Sequence, residues 1–247
     1  MPQHYFSQQN FDIRLEWGSL AAEYLAQHAE CVIIVDVMSF STCVSLANDQ
    51  GALIAPWPWK DESAQRYAAE IGAQAASVDR RFSEHTFTLS PASLLKIPSG
   101  SRLVLPSPNG STVAFKAREK GVKVFSAGLR NCQATANACR HFHSILLIPC
   151  GERWPDGSLR PAIEDYVAAG GIIAALGERC RSPEAEMSLA AYQSARQHDF
   201  AALRQCSSAL ELIERGFATD VDLCLAQDKS QVACQLIDNF FIPQPVP

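Results

Sequence analysis

The chain has 247 residues, a formal net charge of −5 and 19% charged residues. That length supports a substantial core. The absence of any Lys/Arg run offers no basic footprint for nucleic acid, and no apolar stretch approaches the roughly 20 residues of a membrane span. The first 17 residues lack a basic segment followed by an apolar one, so no secretory leader is expected. Nine cysteines without a Cys-x-x-Cys pair read as free thiols of a cytoplasmic protein. In chain order, Phe11, Ile13, Leu15 and Trp17 alternate with polar residues and predict a half-buried strand that stops at Gly18. A helix is predicted over 19–28, and apolar runs at 31–37, 52–56, 73–77, 102–106, 122–126 and 144–149 predict strands. Asp61 opens a helix that Gly72 ends, Ser90-Pro91 looks like a cap with a first-turn proline, and Asn131 opens another helix. From 162 the pattern is helical: 162–179, 183–197, 199–206, 208–216 and 219–227. Residues 236–242 suggest an edge strand, followed by a terminus frayed by Pro243, Pro245 and Pro247. Strands alternating with helices predict one α/β domain over 1–247. The N-terminal strand and the 78–90 loop are expected to interrupt strict parallelism.

Two segments 70 residues apart register without a gap. Residues 33–54 read IIVDVMSFSTCVSLANDQGALI and residues 103–124 read LVLPSPNGSTVAFKAREKGVKV. Ser41-Thr42 falls on Ser111-Thr112, Ala47 on Ala117 and Gly51 on Gly121. Each reads as a strand feeding the start of a helix, where free N–H groups and the positive end of the helix dipole favour an anion. Ser39 and Asn109 occupy equivalent places, and both are good N-cap residues. Gly110 permits close backbone approach. Two expectations follow: two well-capped junctions, or two cradles for separate anions built from Ser39, Ser41 and Thr42 and from Ser107, Asn109, Gly110, Ser111 and Thr112.

In open α/β sheets ligands gather beyond the carboxyl ends of the strands. Asp36 ends an apolar strand, where a carboxylate is costly without a partner. It reads as a general base, a Mg²⁺ ligand, or a cap on its own turn. Glu164 and Asp165 open a helix, where acidic residues stabilise the dipole; a hard cation drawing on several segments would make them partners of Asp36. Cys150-Gly151 ends a third strand, and Cys150 is a candidate thiol nucleophile. A tyrosine-phosphatase loop does not fit, because position 156 is Asp156. A haloacid-dehalogenase phosphatase does not fit either, because position 38 is Met38.

These residues resemble the 2-phosphosulfolactate phosphatase family. Its strand ending Asp-Val, then Leu-Arg-Ala-Thr-Thr, stands here as DVMSFSTC at 36–43, and its Asn-Gly-Thr block as SPNGST at 107–112. Its third strand end corresponds to PCGERWPDGSLRP at 149–161. Glu164-Asp165 with Ala169-Gly170 follows, and Gly216 through Asp220-Val221 resembles a late family motif. The resemblance implies a three-layer α/β/α sandwich with a mixed, largely parallel sheet and, in this chain, a helical C-terminal half. It also implies a Mg²⁺-dependent phosphatase acting on a small phosphorylated or sulfonated acid of the kind leading to coenzyme M. Asp36 and Glu164 would be catalytic, and Asp36, Glu164 and Asp165 would hold the metal. The family Arg is replaced here by Ser39, which is not an equivalent anion binder; Arg130, Arg153 or Arg160 would have to supply its charge. A non-catalytic anion-binding protein, or a related hydrolase with another substrate, is the alternative. The exposed C-terminal helices suggest a homodimer.

Overall fold

The computed structural model describes residues 4–77, 79–80 and 87–245. The rest of the 78–90 loop and Pro247 lie outside these residues. The elements run β1 (Ile13–Leu15), α1 (Gly18–Leu25), β2 (Cys31–Val35), α2 (Phe40–Asp49), β3 (Leu53–Trp57), α3 (Ser63–Glu70), β4 (Gln74–Ala75) and α4 (Pro91–Leu94). Next come β5 (Arg102–Pro106), α5 (Gly110–Arg118), β6 (Lys123–Ala127), α6 (Cys132–Cys139) and β7 (Ile145–Pro149). A small hairpin, β8 (Glu152–Arg153) and β9 (Leu159–Arg160), leads into α7 (Ile163–Leu176) and α8 (Pro183–Gln197). The chain ends with α9 (Ser207–Glu214), α10 (Ala218–Cys224), β10 (Val232–Ile237) and β11 (Phe240–Pro245). Over the described residues, no helix is long and apolar enough to cross a membrane.

The sheet is mixed and has the order β1-β7-β2-β6-β10-β11-β3-β5-β4. Strand residues alternate between two cores, as the pleat requires. Val32, Ile34, Leu146, Ile148, Leu103 and Leu105 pack with α1, α2 and α5. On the other face Ile33, Val35, Ile145 and Leu147 pack with α6, α7 and α8, and Ala55 and Val104 pack with α3. Helices on both faces of one sheet make the expected α/β/α layering. β1 is more buried than its alternating pattern predicts. Arg14 is 1% exposed, because its guanidinium is spent on the Ser7 and His28 carbonyls and the Ser144 hydroxyl, at 2.5–2.9 Å.

The C-terminal segment departs from the expected edge strand. β10 and β11 form an antiparallel hairpin in the middle of the sheet, β10 against β6 and β11 against β3. Phe241 is fully buried opposite Ile54 and packs edge-on to Phe40. Pro243 lies within β11, paired with Cys234, rather than in a frayed end. A proline has no amide to donate, and the β11·β3 pairing is confined to the Phe241 position. The hairpin has a topological consequence. Three successive antiparallel pairings, β6·β10, β10·β11 and β11·β3, reverse the strand sense between the β2 block and the β5 block. A flat sheet would put the carboxyl ends of β2 and β5 on opposite edges. The segments that follow them meet nonetheless: Gly110, four residues beyond β5, donates its amide to Asp36, the residue after β2, at 2.8 Å.

Replacing Phe241 by Ala should lower the unfolding free energy by about 3–5 kcal/mol, read from denaturant unfolding. A loss below about 1 kcal/mol would mean that the hairpin is not a central part of the sheet.

Candidate active site

β2 ends at Val35, and the next residue, Asp36, is 6% exposed. Asp36 Oδ1 accepts a hydrogen bond from the Phe40 amide at 3.2 Å, and Oδ2 accepts one from the Gly110 amide at 2.8 Å. Phe40 and Gly110 are the first residues of α2 and α5 and hold matching places in the twin segments. One internal carboxylate therefore occupies the positive ends of both helices. Gly110 is required by this approach. A Cβ there would stand 2.4 Å from the Phe40 ring and 2.7 Å from Asp36 Oδ2.

The expected caps are spent differently. Neither Ser39 nor Asn109 caps its own helix. Ser39 Oγ accepts from Arg80 at 2.7 Å, and Asn109 donates to Glu152 Oε2 at 3.0 Å. The paired hydroxyls turn inward: Ser41 Oγ accepts from the Asp36 amide, Thr42 donates to the Val37 carbonyl, Ser111 to the Leu105 carbonyl and Thr112 to the Pro108 carbonyl. Ser41, Thr42, Ser111 and Thr112 thus stabilise the strand–helix turns, and the two turns are not two open anion cradles. Asp165 makes a second clasp. Its Oδ1 accepts from the Val37 amide at 2.7 Å and its Oδ2 from the Gly151 amide at 2.9 Å, tying the end of β2 to the end of β7. Gly151 sits at φ +67°, a conformation that suits glycine.

A cavity of about 170 Å³ opens beside Asp36. Asp36, Ser39, Ser107, Asn109 and Glu152 form one wall, and Lys60, Arg80, Ser208 and Arg215 contribute from elsewhere. Among the described residues that line this cavity, Arg80, Ser107 and Ser208 each carry a buried polar atom without a hydrogen-bond partner: Nη1, Oγ and Oγ. Buried donors are rarely left unpaired, so three of them in the lining of one cavity single it out as a candidate site for an acceptor-rich group. Arg80 is held over the Phe217 ring, with Nη1 3.9 Å from Asp220 Oδ2, beyond hydrogen-bond reach. Asp220 is itself fixed by the Ser90 hydroxyl and the Ala92 amide.

The carboxylates press on one another. Burial, and secondly the charge of Glu152, push Asp36 up to about 7, outweighing the two amides that pull the other way. Burial raises Glu152 as well, with Asn109 opposing. Asp165 is driven up by burial and by its neighbours Glu164 and Asp36. Lys60, whose ammonium end is crowded although the residue is exposed, is lowered by desolvation and by Arg80.

The other sequence candidates fall away from this cavity. Glu164 is buried beside Cys206, and with Asp165 it lies behind the strand-end loops rather than on the cavity wall. Arg130 is ion-paired with Asp49 at 3.0 Å, at the opposite end of α2 from Asp36, so it does not replace the missing family Arg. Cys150 is fully enclosed and its thiol is pushed well above its ordinary range by burial and by Asp36, which disfavours a thiolate nucleophile. Arg80, Lys60, Ser208, Arg215 and Glu152 are functional candidates that the sequence pattern did not single out. Glu152 follows Cys150-Gly151 at a strand end, which was a usable signal. Ser208 and Arg215 come from a helix and its end about 170 residues from Asp36 in sequence, and no local pattern marks them.

The family model described as 2-phosphosulpholactate phosphatase matches residues 20–239. A protein of Thermotoga maritima named "Probable 2-phosphosulfolactate phosphatase" is 26% identical over 60% of this chain and 63% of its own length. One of the same name from Thermotoga petrophila is 25% identical over the same shares. A third of that name, from Pseudothermotoga lettingae, is 22% identical over 90% of this chain and 96% of its own. The chain thus spans just under two thirds of the length of the first two relatives.

The raised Asp36 has a stability consequence with a definite sign. The folded chain holds this proton more tightly than the unfolded chain, whose ordinary value is 3.8. The resulting stabilisation is complete below that value and lost as pH rises through about 7. In EDTA, the unfolding free energy of the wild type relative to Asp36→Asn should therefore fall between pH 4 and 7 and level off above. Parallel pH profiles would show that Asp36 titrates normally.

Proposed function

The chain belongs to the 2-phosphosulpholactate phosphatase family, and from that premise we propose that it hydrolyses a phosphomonoester in the Asp36 cavity. The observation that carries this reading is that Arg80, Ser107 and Ser208, each with an unpartnered buried polar atom, line one cavity of about 170 Å³ together with two carboxylates, Asp36 and Glu152. Donors aimed at one point bind phosphoryl oxygens, and they are worth most where water is excluded. The Arg80 guanidinium, fixed by Ser39 and Phe217, takes the part of the absent family Arg as the planar phosphate binder. Lys60 adds positive potential, while Arg215 is paired with Glu211 at 2.9 Å. Glu152, raised by burial and on the cavity wall, would take a proton from an attacking water.

A Mg²⁺ ion fits the chemistry of this wall. Among the described residues no three His, Cys, Asp or Glu side chains form a closed metal cage, but Mg²⁺ commonly takes only one or two carboxylates and completes its shell with phosphate and water. Asp36 and Glu152 are two such carboxylates, and their mutual repulsion is what a cation between them would relieve. When bound, the ion would polarise the phosphoryl group. Glu164 and Asp165 are better suited to holding the loops than the ion.

The test is inorganic phosphate release from a phosphomonoester panel with Mg²⁺ or EDTA. We expect release only with Mg²⁺. Arg80→Met should reduce kcat/KM by on the order of 100-fold, as loss of a transition-state donor does, measured at a temperature where circular dichroism shows the variant folded. Phosphate binding without release from any ester would mark a binding protein, and release indifferent to Arg80→Met would move the chemistry elsewhere.

A further inference from the structure

Only one of the two carboxylate oxygens of Asp220 is used by the local structure. Asp220 lies in the first turn of α10 and is 1% exposed. Its Oδ1 accepts from the Ser90 hydroxyl at 2.8 Å and from the Ala92 amide at 2.9 Å. Those two bonds fasten α10 to the start of α4, and Ser90 does not cap its own helix. A staple between helices needs nothing more. Yet Oδ2 is also buried and, among the described residues, has no hydrogen-bond partner. A buried acceptor left so is costly. The cation beside it is Arg80, whose Nη1 stands 3.9 Å away and is equally unpartnered among the described residues.

Phe217, three residues before Asp220, supports the same guanidinium. Its ring centroid is 5.6 Å from Arg80 Cζ and 5.9 Å from Arg215 Cζ. Arg215 has Glu211 as its counter-charge at 2.9 Å, and Asp220 takes that place for Arg80. Arg80 Nη2 donates to Ser39 Oγ at 2.7 Å. A hydroxyl, a ring face and a charge therefore hold one guanidinium. A bidentate carboxylate would consume its planar fork. At 3.9 Å the Asp220 carboxylate attracts without accepting the Nη1 proton, which stays available to an acceptor in the cavity.

Resting on the phosphate-binding role proposed for Arg80, we infer that Asp220 is a positioning residue. Its second oxygen orients the Arg80 guanidinium by charge, with Phe217 as the supporting surface, and Nη1 is left to donate to a phosphoryl oxygen. Asp220 acts only through Arg80.

An Asn carbonyl can accept from Ser90 and Ala92 as Oδ1 does, so a staple alone predicts that Asp220→Asn is silent. Positioning predicts that Asp220→Asn weakens inorganic phosphate binding with Mg²⁺, read by calorimetry, on the order of tenfold, with a similar fall in kcat/KM for a hydrolysed ester. Phe217→Leu keeps apolar bulk but removes the ring quadrupole, and should lower both about threefold. In an Arg80→Met background neither substitution should have a further effect, an outcome that general loosening of the fold would not give. Each variant is measured below its unfolding transition; if Asp220→Asn does not fold, the Phe217→Leu pair of backgrounds decides. Wild-type phosphate affinity in the deciding variant, equal losses with and without Arg80, or no phosphate binding by the wild type overturns the positioning role. Turnover separates the two claims. Ester hydrolysis indifferent to Asp220→Asn sinks positioning alone, and an Arg80-dependent loss of phosphate affinity with no ester hydrolysed sinks the phosphatase alone.

Discussion

The carboxylate of Asp36 accepts the first amide of α2 on one oxygen and the first amide of α5 on the other. Each helix would otherwise end in unsatisfied N–H groups, and both dipoles would point positive charge at a buried spot. One acidic side chain answers both needs. The same contact fixes the distance between the β2 and β5 strand ends, and every other feature of the site is placed relative to it. Asp165 repeats the device between β2 and β7. Three strand-end loops are thereby tied by two buried carboxylates, and the 170 Å³ cavity lies beside the first of them.

This clasp has a cost that the site puts to use. Burying a carboxylate next to Glu152 leaves it prone to hold a proton near neutrality, although amide donors favour its charged form. The opposing wall carries Lys60, Arg80 and Arg215. Arg215 is paired with Glu211 at 2.9 Å, whereas among the described residues no ion pair joins Lys60 or Arg80 to Asp36 or Glu152, so charges of both signs line one small cavity. Position 39 carries no guanidinium, and Arg80, from another segment, donates to the Ser39 hydroxyl.

The twin segments illustrate how far a repeat in sequence can be read. Their strand–turn–helix form, their register and the ends of their helices were all visible in the pattern of residues. The hydroxyls of Ser41, Thr42, Ser111 and Thr112 looked like ligand donors because they sit where ligands bind. They are consumed by carbonyls and an amide within their own turns, a choice that depends on rotamers and loop geometry. Asp36 was legible as a buried carboxylate needing partners, but that its partners would come from both copies of the repeat was not.

Local periodicity and punctuation determined the strands β2, β3, β5, β6 and β7, most of the helices, the layered α/β class and the importance of Asp36, because these rest on alternation, caps and burial within a few neighbouring residues. Residues 236–242 read as one edge strand, whereas a turn at Asp238-Asn239, with Asp238 at φ 53°, splits them between β10 and β11, and the strands these enter depend on contacts more than 100 residues apart. Only the tertiary structure decided that this hairpin lies between β6 and β3, that the start of α5 reaches Asp36 although the strand sense reverses between β2 and β5, and that Arg80, Ser107, Glu152 and Ser208 share one cavity. The reason is geometric: side chains from a loop, two strand ends and a distant helix acquire a common function only when the coiled sheet and its packed helices set their directions in space.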